Sequence, residues 1–317
     1  MNGFSNRFID MKIYRFLAVI LLVFSIATWA YSPSTTGFQF LRTQVGARPA
    51  GMGGAFVAIP GDVNSLHYNP AGIAALGKRT ASFTYLNDLL DFNSGFIGYV
   101  HPSMGLSNFG FSVLYKDYGQ FDKMDQNGQE MGTFGANSIS LNATWAMVAA
   151  ENLYIGATGK YIRASIENYS ADAVALDAGV MYVIPKQELT FAAGIFNLGT
   201  ATSAFVDTKD ELPLNFRVGF SKKLAHLPLL LSVNTYKYMD EAWQAAIGGE
   251  FTLSDYVLLR LGYDFIGRKM QVDASDDTFA GAAIGLGFLW NQIKIDYSYT
   301  SYGVLGSLNR FTVSSHF

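Results

Sequence analysis

Apolar and polar side chains alternate in short stretches from Thr80 to the end of the chain. In residues 293–299 the odd positions are Ile or Tyr and the even positions are Lys, Asp or Ser, and residues 257–264 and 214–221 show the same alternation. Successive side chains of a β-strand point to opposite faces, so each stretch has one apolar and one polar face. The pattern predicts a chain built largely of β-strands.

About fourteen such strands can be placed. They begin near Thr80, Phe92, Asn108, Ser138, Leu153, Ala173, Leu189, Leu212, Leu229, Trp243, Tyr256, Gly281, Gln292 and Leu308. Short connections, such as 150–152, 185–188, 254–255 and 290–291, alternate with longer polar ones at 118–137, 199–211 and 267–278. Bacterial membrane barrels have an even number of strands, with short turns on one side and longer loops on the other. In the first long connection, Asn127-Gly128 predicts the tip of a hairpin.

Two architectures are compatible with the alternation. In a soluble sandwich the apolar faces pack against each other, and in a membrane barrel they face lipid while the polar faces line the lumen. Strands that cross a membrane need about 9–11 residues, which is longer than the usual strand of about 5–6 residues. The length of the segments favours a transmembrane antiparallel β-barrel.

The composition supports the barrel. Only 15% of the 317 residues are charged and 15% are aromatic, whereas ordinary soluble domains carry about 25% charged residues. The formal net charge of −3 gives no reason to expect nucleic acid as a partner. The chain has no cysteine, which excludes disulfides and thiolate metal sites.

The N-terminus predicts export. Lys12 and Arg15 precede an apolar run at 16–27, and the small residues around Ala30 complete the pattern of a secretory signal peptide over residues 1–30. The run is shorter than the ~20 apolar residues of a membrane span, although a retained anchor helix is the alternative. Met11 precedes Lys12 directly and is a candidate for the true start. We expect cleavage after Ala30.

The last strand ends on an aromatic residue. In residues 308–317, Phe311, Val313 and Phe317 lie on one face, and Arg310 and His316 lie on the other. A terminal Phe on an alternating strand resembles the C-terminal signal that the outer-membrane barrel insertion machinery recognises. Phe317 is therefore the expected insertion signal, and bacterial outer-membrane lipid is the expected surrounding.

A glycine-rich stretch at 51–72 raises the question of a nucleotide site. A Walker loop needs Gly-Lys-Ser/Thr, which does not follow Gly54. A dinucleotide fingerprint needs a third glycine where Phe56 stands. Neither a nucleotide nor another cofactor is expected here.

The same stretch resembles a known family. Residues 40–76 contain Ala47-Arg48, the run Gly-Met-Gly-Gly-Ala at 51–55, Asp62, and Asn-Pro-Ala-Gly at 69–72. These elements and their spacing resemble the N-terminal region of the FadL superfamily, and most closely its PorV/PorQ branch. The resemblance implies an all-β, FadL-like barrel of 14 strands over residues 80–317. It also implies that residues 31–79 form a small hatch inside the lumen.

The hatch explains the unusual residues of the stretch. Its motif residues are Arg48, Gly51, Gly53, Gly54, Asp62, Asn69 and Pro70. Glycines allow close backbone contact and positive φ, and Asn-Pro favours a turn. Arg48 is expected to pair with Asp62 or with a carboxylate of the lumen. A plain structural ion pair and a grip on a ligand are both compatible with this pairing.

Charged residues of both signs are expected on the inner faces of the strands. They are Lys160, Asp177, Arg217, Glu250, Arg260, Asp264, Lys294, Asp296 and Arg310. They can form a network that packs the lumen against the hatch, or they can line a path for a substrate.

No residue pattern indicates an enzyme. The four histidines, His67, His101, His226 and His316, lie in different predicted elements without metal-like spacing, and no Gly-x-Ser-x-Gly nucleophile motif occurs. We therefore expect no catalytic residue and no metal site.

Two functional hypotheses follow from the resemblance, beside a purely structural barrel. The first is a PorV-like accessory of protein secretion of the type IX kind, whose partners are a translocon and the C-terminal domains of its cargo. The second is FadL-like uptake of a hydrophobic small molecule across the outer membrane. The match of 51–55 and 69–72 to the PorV/PorQ branch favours the first.

Overall fold

The structure is a computed structural model that describes residues 36–89, 92–103, 105–269 and 277–317. The expected signal peptide, 1–30, and the alternative start at Met11 lie outside these residues, as does the beginning of the expected hatch, 31–35. No helix within the described part of the chain is long and apolar enough to cross a bilayer.

Fourteen antiparallel strands close into a barrel. Each strand pairs with the next along the chain, and β14 closes the barrel on β1 through the register Thr80↔His316 to Asn87↔Asn309. The strands are β1 (Thr80–Asn87), β2 (Asn93–Pro102), β3 (Ser107–Met124), β4 (Glu130–Ala150), β5 (Leu153–Ile166), β6 (Tyr169–Ile184), β7 (Leu189–Ala201), β8 (Asn215–Lys223), β9 (Leu229–Tyr238), β10 (Gln244–Thr252), β11 (Val257–Asp264), β12 (Ala282–Trp290), β13 (Ile293–Ser301) and β14 (Ser307–His316). The predicted fold class and strand number are confirmed.

The strand boundaries differ from the prediction in three places, and most in the β3–β4 hairpin. The connection expected at 118–137 is mostly strand, because β3 continues to Met124 and β4 begins at Glu130 rather than at Ser138. β6 begins at Tyr169 rather than Ala173, and β8 begins at Asn215 rather than Leu212. Both faces of the β3–β4 hairpin beyond the barrel are exposed, so its sequence lacks the alternation that a half-buried strand requires.

The two ends of the barrel differ. Both the start of β1 and the end of β14 lie at the end that carries short turns, such as 151–152 and 291–292, which we call the turn end. The opposite end carries the connections 88–92, 202–214 and 265–281, and we call it the loop end. The longest connections therefore lie at one end as expected, although the β5–β6 connection at that end, 167–168, is as short as the turns of the other end.

The outer surface of the barrel is apolar. On β11, Leu261 is 47% exposed while its neighbour Arg260 is fully buried on the inner face, and on β13 Tyr297 is 44% exposed while Asp296 is buried. Soluble monomers rarely expose a contiguous apolar surface of this extent, whereas a lipid-facing wall requires one. The barrel is a transmembrane one, with aromatic side chains such as Phe111 and Phe288 on its outside.

We expect Leu261→Arg to destabilise the barrel by about 2–4 kcal/mol, since it places a cation near the middle of a strand that faces lipid. Leu253→Arg is the matched control, because Leu253 is 60% exposed in the turn after β10 and charge near the interface costs about 0–1 kcal/mol. Urea unfolding of the lipid-reconstituted protein measures both. Equal effects of the two substitutions would show that β11 does not cross the bilayer as described.

Within residues 36–79, four short helices precede the barrel. They are a 3-10 helix at Gln39–Arg42, α1 (Ala47–Gly51), α2 (Ser65–Tyr68) and a 3-10 helix at Pro70–Ala75. The last of these begins where the sequence predicts a turn, because Pro70 fixes φ and the Asn69 side chain accepts a hydrogen bond of 3.1 Å from the Ala71 N–H. Further 3-10 helices lie between strands at Pro185–Gln187, Phe265–Lys269 and Gly303–Leu305.

Residues 36–79, which we call the hatch, lie inside the barrel. α1 contacts β11 to β14, and the 3-10 helix Pro70–Ala75 contacts β3 to β6 on the other side of the lumen. The largest apolar cluster of the described residues is centred here, with Phe40, Phe56 and Leu66 almost fully buried. The hydrophobic core is therefore within the lumen, where the hatch fills the space between two walls.

Candidate functional site

The glycine run of the hatch packs directly on glycines of the wall. A Cβ on Gly51 would meet the Cα of Gly285 at 3.0 Å, and a Cβ on Gly262 would meet the backbone N of Gly53 at 2.1 Å. Gly53 also adopts φ +63°, a conformation that side chains disfavour. The run is therefore used for backbone-to-backbone contact with β11 and β12.

The Asn-Pro turn makes the corresponding contact with the opposite wall. A Cβ on Gly179 of β6 would meet the Asn69 Oδ1 at 2.0 Å, and a Cβ on Gly156 of β5 would meet the carbonyl carbon of Pro70 at 2.5 Å. Asn69 Nδ2 donates to the Val57 carbonyl at 3.0 Å, within the hatch. The sequence analysis did not identify the wall glycines, although glycine at an inward position of a strand is the signal that marks them.

Arg48 links the hatch to the wall. Its Nη1 lies 2.7 Å from Asp62 Oδ2, and its Nε and Nη2 donate to the two carboxylate oxygens of Glu250 on β10 at 2.8 and 2.6 Å. Both partners that the sequence suggested for Arg48 are therefore present at once. Burial alone would raise the pKa of Asp62, but the charge and hydrogen bond of Arg48 hold that pKa below its usual range.

The link continues across three strands. Arg260 Nε on β11 donates to Glu250 Oε2 at 2.6 Å, and its Nη1 is 2.8 Å from Asp296 Oδ1 on β13. Lys294 Nζ lies 3.5 Å from the other oxygen of Asp296. With Arg48 and Asp62 these residues form a cluster of three cations and three anions, which we call the ionic network.

A second group of charges lies on the opposite wall. Lys160 Nζ is 2.7 Å from Asp177 Oδ2 and donates to Asn197 Oδ1 at 2.8 Å. Asn197 has φ +59°, and the pairing of β6 with β7 shifts its register at this point, as in a β-bulge. The bulge turns Asn197 toward the pair, so this group is held by the wall without the hatch.

A cavity of about 350 Å³ lies between the hatch and the loop end. We call it the loop-end cavity. Tyr68, Tyr236, Tyr238 and Tyr302 line it together with charged side chains. Burial and the charges of nearby cations lower the pKa of His67, which also lines the cavity, well below its usual value. His67 is therefore neutral at neutral pH.

Four cations border the loop-end cavity. Arg42 pairs with Asp240, at 2.6 Å, and with Glu241, and Lys116 pairs with Asp88. The remaining two are Arg217 and Arg310. The sequence analysis missed Arg42 and Lys116, because Arg42 belongs to the hatch and Lys116 lies at the end of the regular alternation of β3.

A second cavity of about 340 Å³ lies at the turn end. Its lining includes Arg48, Asp62 and Lys294 of the ionic network, together with Thr80 and His316 at the ends of the barrel sequence. The loop-end cavity is bordered instead by Leu89 and Tyr302 in connections of the other end. The two cavities therefore lie toward opposite ends of the barrel.

All nine charges that the sequence places on the inner face are found there. Six of them belong to the ionic network or to the Lys160 pair, and Arg217, Asp264 and Arg310 border the loop-end cavity. Phe317 follows β14 at the turn end, where its N–H donates to the Arg79 carbonyl at 2.9 Å. Its role as an insertion signal stays a prediction. Among the described residues no group of His, Asp and Glu has the arrangement of a metal site.

Comparison with solved structures identifies the architecture. A FadL homologue of Pseudomonas aeruginosa has a TM-score of 0.58 at 13% identity, over 87% of this chain and 98% of that one. The Pseudomonas putida toluene transporter TodX has a TM-score of 0.55 at 12% identity, over 86% and 97%. The fold is FadL-like.

A further structure is consistent with this result. CymD, a monoaromatic hydrocarbon channel, has a TM-score of 0.57 at 11% identity, covering 89% of this chain and 99% of that one. No protein-family model and no curated protein sequence matches the chain. At these identities the likeness shows a FadL-like barrel and does not extend to the PorV/PorQ branch.

Proposed function

We propose that this protein is an outer-membrane channel for the uptake of small molecules of low polarity. The observation that carries the proposal is the loop-end cavity, a space of about 350 Å³ that lies within a FadL-like lumen and above an internal hatch. Four tyrosines line it beside seven charged side chains and several other polar ones, so the cavity offers both aromatic contact and orienting polar groups to a small molecule. The hatch below it would prevent free passage of solutes.

The apolar outer wall supports the proposed location. A barrel of this kind is stable in the bacterial outer membrane, with the loop end outside and the turn end in the periplasm. This orientation places the loop-end cavity on the side where an external compound arrives. The signal peptide expected at 1–30 and the insertion signal expected at Phe317 would bring the chain there, through the barrel insertion machinery.

The solved structures favour uptake over the secretion role. The similar barrels include a toluene transporter and a monoaromatic hydrocarbon channel, and none of these comparisons supports a type IX accessory. Uptake, the second hypothesis of the sequence analysis, therefore has the better support, and a catalytic role has none.

Uptake can be tested by filling the cavity. In a Gram-negative host that lacks its own channel of this fold, expression should increase the entry of radiolabelled toluene at low concentration. Asn234→Trp should abolish the increase, because Asn234 is buried and lines the cavity. Thr235→Trp is the matched control, since Thr235 is the exposed neighbour on the outer face of β9.

Folding of both variants is checked by heat-modifiable mobility in gels. Entry equal to that of cells without the protein would contradict the proposal. Equal entry through the folded Asn234→Trp variant and the wild type would show that the loop-end cavity is not the route.

A further inference from the structure

Among the described residues, the cations enclosed by the hatch and the inner wall are paired with carboxylates, with two exceptions in one place. Six cations of the hatch and inner wall are in ion-pair contact with a carboxylate: Arg42, Arg48, Lys116, Lys160, Arg260 and Lys294. Arg217 and Arg310 have no such partner in the described part of the chain. Buried charges are normally paired, so these two guanidinium groups require an explanation.

Arg217 is surrounded by neutral groups. Its Nε donates to Asn215 Oδ1 at 2.6 Å, and its guanidinium lies 4.8 Å from the centre of the Phe196 ring and 5.8 Å from that of Tyr68. Such rings attract a cation but do not neutralise its charge. The guanidinium borders the loop-end cavity, and it is held in place with N–H groups left to donate.

Arg310 is held in a similar way on the other side of the same cavity. It is 1% exposed, its Nε donates to the Gln44 carbonyl at 2.8 Å, and its Nη1 donates to Thr300 Oγ1 at 3.0 Å. All of these partners are neutral. Two preorganised guanidinium groups, neither with a carboxylate partner among the described residues, therefore face one cavity.

Three carboxylates line the same cavity, and none of them is in ion-pair contact with either arginine: Glu241 pairs with Arg42, and Asp88 pairs with Lys116. Asp264 Oδ1 accepts from the Tyr236 hydroxyl at 2.7 Å, and its Oδ2 accepts from Gln44 Nε2 at 2.9 Å. Both carboxylate oxygens of Asp264 therefore accept hydrogen bonds from neutral donors. Since no carboxylate in the described part of the chain is in ion-pair contact with Arg217 or Arg310, both guanidinium groups can bind an anion from outside.

The size and lining of the cavity indicate which kind of anion it can hold. A cavity of about 150 Å³ holds one benzene molecule, so about 350 Å³ suits one or two rings rather than a long chain. Tyr68, Tyr236 and Tyr238 line the cavity and offer aromatic surface to a planar ligand. A carboxylate is the anion that matches a guanidinium in geometry and charge.

We infer that the loop-end cavity binds a small aromatic carboxylate, whose ring packs among the tyrosines and whose acid group is held by Arg217 and Arg310. The inference rests on the proposed uptake function and specifies its substrate class. Among the compounds that the channel admits, a ligand with an acid group should bind more tightly than a neutral one, because a neutral ligand leaves the two guanidinium groups without an anion.

The first experiment compares two ligands on the unaltered protein. Calorimetric titration of the detergent-purified full chain with benzoate and with benzamide, a neutral molecule of the same shape, measures the contribution of the charge. We expect benzoate to bind at least about tenfold more tightly, since hydrogen bonds to charged groups are roughly twice as strong as neutral ones. Equal dissociation constants would overturn the inference without any mutation.

The second experiment tests whether Arg217 and Arg310 hold the acid group of the ligand. Arg217→Gln and Arg310→Gln should each reduce the preference for benzoate over benzamide by about tenfold, while binding of benzamide stays unchanged. Arg163→Gln is the matched control, because Arg163 is an exposed arginine of β5 outside the cavity lining. If both variants fold and still prefer benzoate over benzamide as strongly as the wild type does, these residues do not hold the acid group.

The outcomes separate this inference from the proposed function. Uptake of toluene together with equal binding of benzoate and benzamide would support the channel and refute the acid site. Absence of both uptake and binding would refute both.

Discussion

Deleting residues 40–76 should turn a nearly silent protein into one that conducts ions. Barrels of about eight strands are filled by their own side chains, and larger ones leave a lumen. Here the hatch fills that lumen, with the glycine run against β11 and β12 and the Asn69-Pro70 turn against β5 and β6. Single-channel recording in planar bilayers should show large steady steps for the deletion variant and rare, small ones for the intact chain.

The control is a deletion that leaves the lumen unchanged. Replacing residues 122–133 with Asn-Gly shortens the exposed β3–β4 hairpin at a position where this dipeptide forms a tight turn. That variant should stay silent, and heat-modifiable mobility shows whether each variant is folded. Large steady currents through the intact protein would contradict an internal plug.

Arg260→Leu should destabilise the protein by about 3–5 kcal/mol, which is more than the cost of placing an arginine on the lipid-facing side. Arg260 is fully buried and contacts both Glu250 and Asp296. Removing one partner of a buried ion pair leaves an uncompensated buried charge, and this is the costly event. Urea unfolding of the reconstituted protein gives the difference in the free energy of unfolding.

Two further variants test whether the loss of buried ion pairs causes the destabilisation. Arg163→Leu removes an exposed arginine whose guanidinium is 3.8 Å from Asp172, and it should cost less than about 1 kcal/mol. Combining Arg260→Leu with Asp296→Leu should restore part of the lost stability. Glu250 keeps its contacts with Arg48, so the second substitution removes the carboxylate that has lost its nearest cation. If the Arg260→Leu variant is as stable as the Arg163→Leu control, the ionic network contributes nothing to the stability of the protein.

The sequence by itself determined the barrel. Alternation along 257–264 and 293–299 assigns each side chain to the lipid or to the lumen, because a strand has only two faces. The even number of strands and the alternating loop lengths followed from the same pattern. The tip of the β3–β4 hairpin was predicted from Asn127-Gly128, but the extent of its strands was missed. Both faces of the hairpin meet solvent, so nothing in its sequence has to alternate.

The hatch motif was visible in the sequence only in part. The spacing from Arg48 to Asn69 indicated a compact glycine-rich unit, and Asp62 was a foreseeable partner for Arg48. The wall glycines Gly156 and Gly262 were not foreseen as contacts of the hatch. They lie far along the chain from it, and their need for close approach arises only once the barrel has closed.

The tertiary structure alone decided which charges are paired. Glu250 and Arg260 share a face in any alternating barrel, yet the register between neighbouring strands determines that they meet. The same register leaves Arg217 and Arg310 beside neutral groups. Alternation specifies the face of each side chain, whereas ion pairing depends on distances of a few ångströms across strands, and only the closed barrel with its hatch in place determines those distances.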